Sequence, residues 1–104
     1  MIKVNYYIGM NDKGTLKQEL AKCDFINELD KVFRDYTISE AQGRFTNRLG
    51  EVTFERSLVV TTFIDDCTET TLRQHVQHNC SILKDKLNQE SILVEVTRPE
   101  VMFL

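Results

Sequence analysis

Hydrophobic positions change their period along the chain, and each change marks an element. From Ile2 to Met10 the residues alternate, with Val4, Tyr6, Ile8 and Met10 on one side and Lys3, Asn5, Tyr7 and Gly9 on the other, the two-residue period of a strand. Bulk on both sides predicts a central position in a sheet. Asn11-Asp12-Lys13-Gly14 supplies turn chemistry, and Thr15 to Lys22 is a polar connection whose shape the pattern leaves open. Phe25, Ile26, Leu29, Val32 and Phe33 then recur at helical spacing, one apolar stripe with Asn27, Glu28, Asp30, Lys31 and Arg34 facing water.

Alternation returns from Tyr36 to Thr46 and from Val52 to Ile64, with Asn47-Arg48-Leu49-Gly50 as the turn between, which predicts a hairpin of antiparallel neighbours. Leu58 to Ile64 is apolar on both parities, as a strand well inside a sheet would be. Asp65-Asp66 ends it, and Asp66 with Glu69 has the spacing of a capping box. Leu72, Val76, Cys80, Leu83 and Leu87 form the inner stripe of a second helix with Asn79 near its centre; Asn88 and Gln89 close it. Ser91 to Thr97 is a last strand, followed by Arg98-Pro99 and an apolar tail to Leu104. The order β-α-β-β-α-β predicts an α+β, ferredoxin-like fold: one antiparallel sheet of four strands with both helices on one face.

Composition narrows this little further. At 104 residues the chain has the size of a single domain. Its 41% hydrophobic and 28% charged residues are those of a folded protein. Lys and Arg number 13 against 16 Asp and Glu, a formal charge of -3 with the cations scattered. That argues against a nucleic-acid backbone or an anionic membrane as partner and fits a basic partner or a neutral small ligand better; the expected partners are a second copy of the chain, a small molecule or another protein. The absence of a leader pattern and of a long apolar run points to the cytoplasm. Three cysteines, Cys23, Cys67 and Cys80, without C-x-x-C spacing fit reduced thiols there, with no disulfide framework and no structural zinc.

Several polar markers run in order along nearly the whole chain: Tyr6-Tyr7-Ile8-Gly9, Tyr36-Thr37-Ile38, Ala41-Gln42-Gly43-Arg44-Phe45, Glu55, and Asn88-Gln89-Glu90-Ser91-Ile92. In these the chain resembles a bacterial family catalogued as domain of unknown function number 3574. The resemblance implies a shared fold and shared polar positions, and no activity. Many of those relatives carry an export signal, whereas this sequence opens directly on its first strand.

The polar residues inside the strands carry the candidate chemistry. Glu40, Gln42 and Arg44 share a parity, so they project to one side of the sheet. With Glu55 from the neighbouring strand, Tyr7 from the first, and Gln89 and Glu90 before the last, they are the candidate ligand or interface residues. The ordinary reading is a wet sheet face with cross-strand ion pairs such as Arg44 with Glu55. His75, His78 and Cys80 look like a metal cluster, but helical spacing turns Cys80 inward and leaves the histidines on the flank, so no metal site and no cofactor are expected. Cys23 and Cys67 precede helix starts and read as unreactive thiols. Asp65-Asp66 is accounted for as strand end and cap.

Three functions fit these residues. The first is a non-enzymatic binding module, homodimeric through the exposed face or edge of its sheet, with Tyr6, Tyr7, Phe45 and Phe54 as interface aromatics. The second is a small enzyme of the cofactor-free monooxygenase type, with Tyr7, Glu55 and His75 as the acid-base groups in a pocket between sheet and helices. The third is a phage or mobile-element inhibitor of a host protein. No catalytic residue is assigned.

Overall fold

The structure, a computed structural model, describes residues 1–10, 22–46, 48–89 and 91–104, with all their side chains except those of residues 22–24, 45 and 53. Its elements follow the order read from the pattern: β1 (Ile2–Gly9), α1 (Lys22–Val32), β2 (Thr37–Thr46), β3 (Val52–Ile64), α2 (Glu69–Lys86) and β4 (Leu93–Thr97). The four strands pair in the order β2-β3-β1-β4, every neighbour antiparallel. This is the ferredoxin-like arrangement, in which β1 and β3 lie at the centre because both helical crossovers skip a strand. The expected turn at Asn11–Gly14 and nearly all of the connection after it fall outside the described residues.

Alternation along β1 explains how the layers form. Val4, Tyr6 and Ile8 stand opposite Thr62, Val60 and Leu58 of β3, and paired residues of an antiparallel ladder share a face. That face meets Phe25, Leu29 and Phe33 from the first helical stripe and Leu72, Leu83 and Leu87 from the second, in one buried cluster. Each large side chain buried there contributes about 1.5–3 kcal/mol. The Tyr6 and Phe33 rings meet at a tilt with centroids 5.1 Å apart, a favoured aromatic geometry. Both helices therefore lie on one side of the sheet, as the stripes predict.

The ends of α2 are built differently from the sequence reading. Its N-cap is Thr68, whose hydroxyl accepts from the Thr71 backbone N–H at 3.2 Å. Asp66 is not the cap; its carboxylate lies 3.3 Å from the Met1 ammonium. A threonine one residue before the helix satisfies an orphan N–H directly, which Asp66, farther out, does not. At the other end Asn88 takes a left-handed φ of 52°, and the Gln89 N–H donates to the Lys84 carbonyl at 2.9 Å. This is the Schellman closure that satisfies the last carbonyls of a helix, and it fixes where Gln89 points.

The β2–β3 hairpin outruns the rest of the sheet. β1 stops pairing at Gly9 with Ser57, whereas β2 and β3 continue from Gln42–Arg56 to Thr46–Val52. Among the described residues, the hairpin beyond Ser57 is a two-stranded ribbon. Gly50, at a φ of +81°, turns it, a left-handed conformation that glycine adopts without strain.

Candidate functional site

Register decides which polar residues meet. Glu55 stands opposite Gly43, and Ser57 opposite Ala41 and Gly9, so these residues share the open face with Tyr7. Glu40 stands opposite Leu58, Gln42 opposite Arg56 and Arg44 opposite Phe54. These three have the parity of Ile38 and Val60, which belongs to the helix side. The sequence-based grouping of Glu40, Gln42 and Arg44 with Glu55 and Tyr7 on one face is therefore corrected. The expected Arg44–Glu55 cross-strand pair is replaced by Arg56 with Glu40 at 3.3 Å. Arg44 stays exposed although its parity is the core's, because the ribbon runs past the sheet that the described helices cover; Glu40, opposite Leu58, is exposed on the edge strand β2.

On the open face a cleft of about 400 Å³ lies at the Gly9 end, within the size range of small-molecule sites. Gly9, Ala41, Gly43 and Ser57 form a floor of short side chains, Tyr7 and Leu93 stand beside it, and Glu55 and Gln89 supply its polar groups. Gln42 borders it from the edge strand and Ser91 from the start of the last strand. Of the candidate residues, then, Tyr7, Gln42, Glu55 and Gln89 come together, Glu40 and Arg44 do not, and Glu90 lies outside the described residues.

The Glu55 carboxylate lies directly over Gly9. A Cβ on Gly9 would meet Glu55 Oε1 at 1.9 Å and Gln89 Oε1 at 3.4 Å. Gln89 is only 8% exposed, and its amide donates from Nε2 to the Leu87 carbonyl at 3.0 Å. That bond turns the side-chain oxygen toward the carboxylate. Two acceptors thus face the same small volume.

Beside the cleft the open face carries a closed hydrogen-bond chain. Thr61 Oγ1 donates to Asn5 Oδ1 at 2.6 Å, Asn5 Nδ2 donates to Glu95 Oε1 at 3.0 Å, and the Tyr7 hydroxyl donates to the same oxygen at 3.2 Å. Asn5 is covered by these neighbours to 9% exposure. The Tyr7 hydroxyl titrates above its ordinary value, through desolvation first and then the Glu95 charge. Committed to Glu95, it is held as a neutral donor at the edge of the cleft.

Residues given other roles by sequence fall elsewhere. Tyr6 is fully buried among the core side chains, so it is no interface aromatic. Its hydroxyl accepts from Asn79 Nδ2 at 3.1 Å, and Asn79 in turn lies 3.3 Å from His75 Nε2. Burial pushes the Tyr6 hydroxyl up and does the same to the Cys80 thiol. Phe54 is 75% exposed on the helix-side parity of the ribbon, apart from Tyr7; the Phe45 side chain is outside the described set. His75 sits on α2, across the sheet from Tyr7 and Glu55, so those three do not form one acid-base site. Tyr6, Phe25, Leu29, Leu58 and Leu83 fill the space between sheet and helices. Cys67 packs half-buried against the core, and Cys23 lies within α1. Among the described residues no three His, Cys, Asp or Glu side chains gather as a metal site would require, and no helix is long and apolar enough to cross a membrane.

Sequence reasoning missed Gly9 and Leu93 as parts of the cleft. The small residues Ala41, Gly43 and Ser57 at the parity of Glu55 were the available signal, since a floor without bulk is what a strand face needs to admit a ligand.

No protein-family model matches the chain, and no curated protein matches it. Among solved structures it is similar to a phage SAM lyase in complex with S-methyl-5′-thioadenosine, at 18% identity and a TM-score of 0.73, over 92% of this chain and 79% of that one. A phage SAM lyase in its apo state is similar at 17% identity and a TM-score of 0.72, over 92% of this chain and 78% of that one. The likeness is one of fold.

Proposed function

We propose that this chain is a small-molecule-binding module whose site is the cleft at the Gly9 end of the open sheet face, and that it works as a homodimer joined through that sheet. The observation that carries the first part is the placement of the Glu55 carboxylate over Gly9, beside the Gln89 oxygen, in a hollow of ligand size. A cleft with a short-side-chain floor and a few fixed polar groups is the usual form of a small-molecule site. The phage SAM lyase of similar fold, captured with S-methyl-5′-thioadenosine, makes adenosyl sulfonium and thioether compounds the first class to test. The dimer is supported by apolar side chains left uncovered on the open face, Leu93 at 68% exposure and Phe63 at 46%, which a second sheet would remove from water.

Calorimetric titration of the protein with S-adenosylmethionine and with S-methyl-5′-thioadenosine tests the site. Saturable binding that Glu55→Gln weakens about tenfold or more is the expected result, the loss of one charge-assisted hydrogen bond. Failure of both compounds to bind overturns this choice of ligand class. Chromatography of the same mixtures separates two outcomes: S-methyl-5′-thioadenosine released from S-adenosylmethionine makes the module an enzyme, and intact ligand keeps it a binder. Sedimentation equilibrium at micromolar concentration should give twice the mass of one chain; the mass of a single chain removes the dimer.

A further inference from the structure

The charge of the described cleft lining is one-sided. Among the described residues its only charged group is Glu55, with no Lys, Arg or His, and Gln42, Ser57 and Ser91 are neutral. Two of the donors it contains are already committed, the Tyr7 hydroxyl to Glu95 and the Gln89 amide to the Leu87 carbonyl. Over Gly9 itself lies a pair of acceptors, Glu55 Oε1 and Gln89 Oε1, both within 3.4 Å of the point where a Cβ on Gly9 would lie. Two oxygens aimed at one spot repel each other unless a donor or a cation lies between them.

Resting on the cleft reading above, we infer that this site selects an unphosphorylated ligand carrying a cationic or N–H donor group, and that Gly9 is the residue that sets this preference. The missing side chain at Gly9 is what allows the Glu55 carboxylate to lie down on β1. Any larger residue there occupies the carboxylate's own position, so the charge must swing away from Gln89 and out of the cleft. A phosphate brought to the same spot meets a carboxylate and a carbonyl oxygen, with no cation among the described lining residues to offset its charge. S-adenosylmethionine, with an ammonium and a sulfonium, has the charge this site favours; adenosine is neutral, and adenosine 5′-monophosphate has the charge it rejects.

The test uses the full chain and those three probes. Titration should rank S-adenosylmethionine above adenosine by about tenfold or more, and adenosine above adenosine 5′-monophosphate by a similar factor. Gly9→Ala should abolish the first advantage while leaving adenosine affinity within about twofold, since only the charged contact is displaced. Equal or tighter binding of the monophosphate overturns the selectivity while leaving the cleft a binding site. No binding by any of the three overturns both the selectivity and the reading beneath it.

The role of Gly9 has a ligand-free readout as well. Gly9→Ala should lower the Tm by about a degree in the native background, since it displaces the free end of a flexible side chain, and by less in a Glu55→Ala background, where the space is vacant. An equal fall in both backgrounds shows that Gly9 serves the backbone alone and overturns its positioning role.

Discussion

The two faces of one strand, β1, lead opposite lives. Tyr6, on the helix side, is sealed under α1 and α2, with its hydroxyl held by Asn79. Tyr7, its neighbour in sequence, stands on the open side with its hydroxyl held by Glu95. Both phenols have a partner, yet the first bond is enclosed by packed side chains and the second borders a cleft. The difference teaches that polar satisfaction alone does not make a core. A layer of apolar side chains must lie above it, and among the described residues only one side of the sheet has that layer.

The sharpest way to break this contrast is truncation on each side. Leu83→Ala, a fully buried residue of α2, should cost about 2–5 kcal/mol in urea unfolding. Leu93→Ala on the open face should stay within about 0.5 kcal/mol for the isolated chain. Similar costs for the two would mean that both faces are packed. Next in size is the buried polar contact: Asn79→Ala removes the donor to the Tyr6 hydroxyl and should cost about 1–3 kcal/mol by the same measurement. A neutral result would show that water or His75 replaces it.

Smallest is the alkaline limb of stability, which sharpens the comparison between the two tyrosines. Burial raises the folded pKa of Tyr6 above its ordinary value, so the fold favours the neutral phenol. That contribution is complete below about pH 10, the unfolded value, and is lost as pH climbs through the folded value. Unfolding midpoints should therefore fall above that pH. Tyr6→Phe should flatten the fall more than Tyr7→Phe, because Tyr7 is only half-buried. The reverse order would place the buried phenol at position 7.

Most of the fold was legible because period and parity are local properties. The stripe from Phe25 to Phe33 and the alternation of Val4, Tyr6 and Ile8 each fix a face without reference to anything distant. Site assembly is a different matter, because it depends on the register between strands. Glu40, Gln42 and Arg44 were rightly placed together, but parity within a strand does not say which side of the next strand it matches. Ile38, at the same parity, is the residue that ties them to the helix side, since it pairs with buried Val60. The helix cap shows the same limit on a smaller scale: Asp66 and Thr68 both have capping chemistry, and only the backbone path decides that Thr68 delivers it.

The overhanging ribbon bears on how the cleft would work. Glu55 is carried beyond the last pairing of β1, on two strands with no described helix above them, and its side chain reaches back to the rest of the sheet at Gly9. Amide exchange is fastest where neither a third strand nor a packed layer slows opening. Judged by the described residues, the wall bearing the site's charge is thus expected to open more readily than the centre of the sheet, and an occupant bridging Glu55 to Gln89 would fasten it to the end of α2. Capture would then register as slower exchange along residues 52–56, long before any change reached the core.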